Sequence, residues 1–312
     1  MSIPLAVGRM YPMFAERLGR AQRTSGSLVC VGLDPDLAKL PRELASGPEP
    51  LLAFNRRIVD ATAEFAAAYK PQIAFYSALG KEAELAASIS YIRERAPHAL
   101  VILDAKRNDI GNTAEAYASE AFDRYGADAV TVNPYMGEDS VRPFLARPDR
   151  GAILLCRTSN PGARDFQDLL VEDPGGAPLG GTPLGGTPPG GTRLPLYRRV
   201  AERADRYWNE AKNLMLVVGA TYPAEMAELR RAHPSLSFLV PGIGAQGGDL
   251  DSTLAAGLNS EGAGLLINSS RGIIYAGGGT AENIRAAAAE LHAGINKGRP
   301  SSLGRAAGTA SA

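Results

Sequence analysis

Eight short apolar runs alternate with longer amphipathic segments along this 312-residue chain and restrict it to few folds. The runs have the length and flanking turn residues of buried strands, and the intervening segments carry apolar residues at helical spacing. Eight such units in roughly 250 residues are typical of a (β/α)8 TIM barrel, a single α/β domain. The predicted strands are residues 27–33, 69–75, 99–106, 129–133, 152–156, 214–218, 237–240 and 264–268.

A doubly wound open sheet is the competing arrangement of alternating strands and helices. Polar residues at the strand ends favour the barrel, because the carboxyl ends of barrel strands converge on one mouth. In an open sheet, strands at opposite edges would keep such residues far apart. The polar residues in question are Asp34, Lys106, Asn133, Ser159, Gln246 and Arg271.

Segments outside the repeating pattern indicate how the chain is organised. Residues 1–26 form a predicted N-terminal extension with one helix, and residues 27–296 form the predicted barrel. Residues 173–194 contain a Gly-Gly-Thr-Pro repeat with few side chains to bury, which predicts a flexible insertion in the barrel. Residues 297–312 are small and polar, which predicts a disordered tail.

Charge and cysteine content narrow the class of protein. Basic and acidic side chains number 33 each, which argues against nucleic acid or an anionic membrane as a partner. Cys30 and Cys156 lie inside apolar runs, so we expect unpaired core thiols in a reducing compartment. The N-terminus lacks a signal-peptide pattern, and no apolar run reaches about 18 residues, so we expect a soluble cytoplasmic protein.

The third predicted strand ends in a group of charges. Asp104 and Lys106 are two residues apart, so regular alternation points both to one side of the strand, and Asp109 follows in the loop. A buried strand seldom ends in carboxylates around an ammonium unless the group is functional. A solvated salt bridge is the alternative, because structural ion pairs are common.

Residues 241–248, after the seventh strand, match the pattern G-x-G-x-x-G. A dinucleotide site with Glu261 at the ribose is one interpretation, but that pattern belongs in the first turn of a Rossmann unit. In barrels, the loops after strands seven and eight commonly bind phosphate through backbone N–H groups. The Arg271 guanidinium after strand eight suits bidentate phosphate contact, so we expect a phosphate pocket. Glycines that serve only tight turns are the alternative.

Three further residues are candidates of unequal strength. Lys70 lies inside the second predicted strand, where an ammonium must find a carboxylate or a ligand. Ser159 could hydrogen-bond a ligand amide, and Asp34 ends the first strand, but both lie in sequences typical of ordinary turns. The histidines show no metal-ligand spacing, so no metal site is expected.

Eight motifs, in the same order along the chain, resemble those of the orotidine 5'-phosphate decarboxylase family, in the subgroup seen in mycobacteria and related bacteria. They extend over about residues 27–296, and the D-x-K-x-x-D motif with its flanking residues is the specific part. The motifs are Gly32-Leu-Asp-Pro-Asp36, Tyr69-Lys-Pro-Gln72, Asp104-Ala-Lys-Arg-Asn-Asp-Ile-Gly111, Asn133-Pro-Tyr135, Thr158-Ser-Asn-Pro-Gly162, Val218-Gly-Ala-Thr221, Pro241-Gly-Ile-Gly-Ala-Gln-Gly-Gly248 and Arg271 with Tyr275.

This resemblance implies decarboxylation of orotidine 5'-monophosphate to uridine 5'-monophosphate without a cofactor. By the same resemblance, Lys106 donates the proton to C6 of the pyrimidine, and Asp104 lies beside the substrate carboxylate. Lys70 completes an alternating row of lysines and aspartates. Asp109 resembles the aspartate that reaches the neighbouring subunit's site, which implies a homodimer with shared active sites.

Substrate-binding roles follow from the same resemblance. Asp34 and Lys70 would hold ribose hydroxyls, and Ser159 would contact the pyrimidine amide. Gln246 and Arg271 would hold the phosphate, whose binding can supply energy to close loops over the site.

Three alternative functions stay open at this point. A related sugar-phosphate decarboxylase or epimerase uses D-x-K-x-x-D with Mg²⁺, although Ser159 and Gln246 favour a pyrimidine nucleotide. An aldolase-like Schiff base on Lys106 is a second alternative, although a lysine between two carboxylates is too firmly protonated to suit. A non-catalytic nucleotide-binding scaffold, whose repeat docks a partner, would tolerate Lys106→Ala.

Overall fold

A closed barrel of eight parallel strands forms the centre of the protein, and this confirms the predicted fold class. The structure, a computed structural model, describes residues 12–172, 193–244 and 247–300. Strands β6 and β7 form a separate antiparallel pair, and the other eight close the barrel. The strands are β1 (Val29–Leu33), β2 (Ala66–Pro71), β3 (Leu100–Arg107), β4 (Ala129–Val132), β5 (Gly151–Arg157), β6 (Leu170–Glu172), β7 (Arg193–Pro195), β8 (Leu214–Val218), β9 (Ser237–Val240) and β10 (Leu265–Ser269).

Helices connect the barrel strands and cover their outer surface. Two of these helices each continue into a short π-helical segment. One segment is Glu120–Arg124 and the other is Ala204–Trp208. The helices are α1 (Phe14–Ser25), α2 (Arg42–Ala45), α3 (Pro50–Thr62), α4 (Ala74–Ser77), α5 (Glu82–Arg95), α6 (Gly111–Ser119), α7 (Glu138–Leu145), α8 (Leu196–Arg203), α9 (Pro223–Ala232), α10 (Leu250–Gly257), α11 (Arg271–Ile274) and α12 (Ala281–Lys297).

Side-chain alternation divides each barrel strand between two apolar layers. On β3, Val101 and Leu103 belong to the layer between the strands and the helices, whereas Ile102 belongs to the barrel interior. The next inward positions towards the carboxyl ends are polar, namely Asp104 on β3 and Thr131 on β4, and both line a cavity. The alternation that builds the core therefore also delivers polar groups to the mouth of the barrel.

Helix α1 closes the opposite end of the barrel. Phe14 is only 1% exposed and packs with the inward-facing apolar side chains. A Cβ added to Gly151 would lie 2.4 Å from the Phe14 ring, so only glycine fits there. Arg17 of α1 also pairs with the fully buried Asp128, which Arg93 contacts at 2.6 Å. The predicted N-terminal helix thus seals the floor of the barrel.

Strand β2 differs most from its prediction, because it begins three residues before the expected range 69–75. The alanines at 66–68 favour helix intrinsically and continue the apolar pattern of the preceding helix. In the folded chain, Ala68 instead pairs with Cys30 in the sheet. As a result, Lys70 is the second-last residue of β2 and lies near the mouth end, whereas in the predicted range it is the second residue.

Two predicted segments fall mostly outside the described residues. The insertion at residues 173–194 is described only at its last two residues, and the tail at 297–312 only at its first four. Both assignments stay predictions. In the ranges that the structure describes, no helix is long and apolar enough to cross a membrane.

Candidate active site

A cavity of about 710 Å³ opens at the carboxyl ends of the barrel strands. Gln246, the predicted phosphate ligand, lies outside the described residues, and Asp109 does not line the cavity of its own chain. The structure brings the other six predicted site residues to this cavity. They are Asp34, Lys70, Asp104, Lys106, Ser159 and Arg271.

Three of these residues form a continuous row of alternating charge. The Lys70 Nζ donates to Asp104 Oδ2 at 2.8 Å, and the Lys106 Nζ donates to Asp104 Oδ1 at 2.6 Å. The side chains of Lys70 and Asp104 are 6% and 10% exposed, whereas that of Lys106 is 46% exposed. The row therefore runs from the barrel wall to an ammonium that faces the open cavity.

The ion pair between Lys70 and Asp104 keeps both groups charged. Burial alone would raise the pKa of Asp104, but the positive charges of Lys70 and Lys106 hold that pKa far below its usual range. Burial alone would lower the pKa of Lys70, but the negative charges of Asp104 and Asp34 raise it above its usual value. The site thus presents a fixed carboxylate at neutral pH.

Strand β3 loses its regular geometry where these charges lie. Its pairing with β4 shifts register between Leu103 and Arg107, so residues 104–106 bulge opposite Thr131. Lys106 has a φ of +48°, a left-handed conformation that costs a residue other than glycine about 1–3 kcal/mol. The expected alternation is therefore interrupted, and Lys106 reaches its carboxylate partner from a strained backbone.

Thr131 is a site residue that our sequence reasoning missed. Its Oγ1 accepts from the backbone N–H groups of Ala105 and Lys106, each at 2.9 Å, and donates to Asp104 Oδ1 at 2.8 Å. The signal was a threonine between outward-facing valines in strand 129–132, at an inward position. Only the bulge in β3 brings the two N–H groups to that hydroxyl.

The adjoining wall of the cavity joins β1 to α11. The Ser270 hydroxyl donates to Asp34 Oδ2 at 2.5 Å. The Tyr275 hydroxyl accepts from the Asp36 N–H at 2.7 Å and donates to the Asp34 carbonyl at 3.3 Å. Arg271, the first residue of α11, is exposed to the cavity. These contacts place a guanidinium and a carboxylate on the side of the mouth next to Lys70, because β1 pairs with β2.

The loop after β5 carries Ser159 into the cavity and is held by a buried arginine. A Cβ added to Gly219 would lie 2.8 Å from the Ser159 Cβ, so this glycine lets the loop approach β8. Arg157 is 1% exposed, its guanidinium lies 3.8 Å from the centre of the Tyr222 ring, and it pairs with Asp168 at 3.0 Å. The position of Ser159 therefore depends on Arg157, which sequence reasoning did not single out.

Asp109 does not line the cavity that the lysine row faces. Its Oδ1 accepts from the Ile110 N–H at 2.8 Å, a local turn contact. Ile110 is 51% exposed, and Tyr135 and Met136 after β4 are 81% and 45% exposed. These are large apolar side chains for a monomer to leave in water.

The histidines take no part in this site. His98, His233 and His292 do not line the cavity; the ring of His233 instead contacts Asp205 at 2.8 Å. No group of three His, Cys, Asp or Glu side chains that could hold a metal ion occurs in residues 12–172, 193–244 and 247–300.

Comparisons with known proteins give consistent similarities. Residues 27–175 match the Orotidine 5'-phosphate decarboxylase / HUMPS family. Orotidine 5'-phosphate decarboxylase of Janthinobacterium sp. (strain Marseille) is 51% identical over 263 residues, 84% of this chain and 90% of the relative. That of Cellvibrio japonicus (strain Ueda107) is 48% identical over 290 residues, 92% of this chain and 99% of the relative. The structure of Leishmania donovani OMP decarboxylase is similar with a TM-score of 0.74 at 40% identity, covering 95% of this chain and 100% of the other.

Proposed function

We propose, from the premise that this chain belongs to the orotidine 5'-phosphate decarboxylase family, that its cavity is the site of that reaction. The protein is a carboxy-lyase that converts orotidine 5'-monophosphate to uridine 5'-monophosphate in pyrimidine biosynthesis, as its relatives at about 50% identity indicate. The observation that carries the assignment of the site is the Lys70–Asp104–Lys106 row, which ends in an ammonium facing the cavity.

Lys106 is the proposed proton donor. When the bond from C6 to the substrate carboxylate breaks, carbon dioxide leaves and the electron pair stays on C6. An ammonium held beside C6 stabilises this charge and then transfers a proton to it, which yields the product and a neutral amine that solvent reprotonates. Lys106 fits the role because its Nζ is fixed by Asp104 at 2.6 Å and nearly half of its side chain is exposed.

Asp104 has two proposed effects on the substrate. It orients Lys106, and its own negative charge lies on the cavity wall where the substrate carboxylate would bind. Two like charges about 4 Å apart repel by roughly 4 kcal/mol at an effective dielectric constant of 20. Departure of carbon dioxide relieves this repulsion. The repulsion therefore lowers the activation barrier to decarboxylation, and it acts only while the substrate is bound.

The remaining predicted residues supply the proposed substrate contacts. Asp34 and Lys70 would bind ribose hydroxyls, and Ser159 would bind the pyrimidine amide. Arg271, exposed at the start of α11, would bind the phosphate, together with Gln246 from the loop after β9. Phosphate binding at this distance from C6 can supply energy for closing the site.

A homodimer is the proposed working form, located in the cytoplasm. Asp109 does not line its own cavity and lies beside the exposed Ile110, which is consistent with a contact to a second subunit. Two buried, unpaired thiols, Cys30 and Cys156, suit a reducing compartment.

The proposal is tested by ultraviolet assay of orotidine 5'-monophosphate without added metal or cofactor. Lys106→Ala should lower kcat by about 10⁴-fold or more, because both the charge at C6 and the proton source are lost. Lys297→Ala, which removes an exposed lysine at the end of α12, is the matched control and should keep full activity. A folded and active Lys106→Ala protein, or a strict requirement for a metal, would contradict the proposal.

A further inference from the structure

Thr131 contacts both Asp104 and Lys106 but carries no charge itself. We infer that the Thr131 hydroxyl is a positioning group that fixes the Asp104 carboxylate and the Lys106 backbone in their productive geometry. This inference rests on the proposed function and deepens it. It names a residue on β4 that acts through the two residues on β3.

The hydrogen-bonding capacity of Thr131 is fully used by this arrangement. A hydroxyl has two acceptor positions and one donor proton. The N–H groups of Ala105 and Lys106 occupy the acceptor positions at 2.9 Å each. The single proton is therefore directed at Asp104 Oδ1, which lies 2.8 Å away. The two backbone N–H groups thus fix the orientation of the Thr131 hydroxyl, and its proton cannot turn to another acceptor.

The two carboxylate oxygens of Asp104 accept hydrogen bonds from different donors. Oδ1 accepts from Thr131 and from Lys106, whereas Oδ2 accepts from Lys70. Three donors on two oxygens define the plane of the carboxylate. Removing the Thr131 contact leaves only the two flexible lysine side chains to orient it, and a lysine ammonium is a rotatable point charge.

Thr131 also compensates for the bulge in β3. Leu103 pairs with Val130 and Arg107 pairs with Val132, so three residues of β3 share one facing residue. The N–H groups inside such a bulge lose their regular acceptors on the neighbouring strand. The threonine oxygen replaces those acceptors, which holds Lys106 at its positive φ. Strained conformations of this kind persist only where the surroundings fix them.

The test compares Thr131→Val, which keeps the shape and removes the hydroxyl, with Thr131→Ser, which keeps the hydroxyl. Thr131→Val should lower kcat by about 10- to 100-fold, the range typical of lost second-layer contacts and of small misplacements of reacting groups. KM and the affinity for uridine 5'-monophosphate, measured by calorimetry, should stay close to wild type, because the phosphate and ribose contacts are untouched. Thr131→Ser should recover most of the activity.

A second buried threonine provides the control for a purely structural effect. Thr62 is fully buried at the end of α3 and does not line the cavity; its hydroxyl donates to the Ile58 carbonyl at 2.7 Å and contacts the Tyr69 hydroxyl at 2.9 Å. Thr62→Val should lower the unfolding midpoint and leave kcat unchanged. If Thr131→Val behaves like Thr62→Val, with a lower midpoint and wild-type kcat, Thr131 has no positioning role and the inference is overturned.

Two further outcomes are separated by the same experiment. If wild-type protein itself does not consume the substrate, the proposed function fails rather than the role of Thr131. If Thr131→Val does not fold, Thr131→Ala replaces it, because alanine also removes the hydroxyl and is smaller than valine. A folded Thr131→Ala protein with wild-type kcat would then overturn the inference.

Discussion

Asp104 is a carboxylate whose ionisation is built into the stability of the fold. Its pKa in the folded chain lies below the value of about 3.9 for a free aspartate, because two lysines surround it. At pH values between its folded and unfolded pKa values, Asp104 is therefore ionised in the folded state and mostly protonated in the unfolded state. The stabilisation is fully present above about pH 4 and is lost as the pH falls below that value.

Replacing Asp104 should therefore destabilise the protein in a pH-dependent way. Asp104→Asn leaves the buried Lys70 ammonium without its counter-charge and should lower the free energy of unfolding by about 3 kcal/mol at neutral pH. The difference from wild type should shrink in urea unfolding experiments at about pH 3. Asp251→Asn, at an exposed position on α10, is the control and should show no such trend. A pH-independent difference would refute the account.

At the scale of elements, a buried side chain helps to position the loop after β5. Arg157 lies over the Tyr222 ring and pairs with Asp168, so it connects both ends of the loop that carries Ser159. A desolvated cation–π contact is worth about 2 kcal/mol. The geometry of the wall that carries Ser159, the proposed pyrimidine contact, therefore depends on a residue that does not line the cavity.

Arg157→Met should release this loop while filling the same space. We expect KM for orotidine 5'-monophosphate to rise about tenfold, with a smaller change in kcat, because a substrate contact is weakened rather than the chemistry. Steady-state kinetics measure both constants. Arg198→Met on α8, where the arginine is half exposed, is the matched control. An unchanged KM would show that Ser159 keeps its place without Arg157.

Predicted and observed elements agree where local pattern and packing coincide. Strands β8 and β9 have their predicted bounds, since each is a short apolar run between turns. The alanines before Lys70 show the opposite case, because their helical propensity is overridden by pairing in the sheet. A side chain as small as alanine suits either structure, so only the neighbouring strands decide.

At the scale of the whole molecule, α1 and the barrel depend on each other. Phe14 fills the floor of the barrel, so Phe14→Ala should lower the free energy of unfolding by about 3–5 kcal/mol. Because the floor is opposite the cavity, kcat and KM measured well below the unfolding temperature should not change. Met13→Ala, at a residue 37% exposed, should alter stability by less than about 0.5 kcal/mol. Denaturant unfolding and steady-state assays on both variants check this, and a stable Phe14→Ala protein would contradict it.

The sequence by itself determined the barrel, the order of its strands and six residues that meet at its mouth. It did so because apolar periodicity and polar strand ends are local properties that survive folding unchanged. The tertiary structure alone decided the bulge in β3, the role of Thr131 beneath Lys106, and the buried Arg157 behind Ser159. These features depend on register and packing between strands distant in the chain, and neither leaves a periodic signal along one segment.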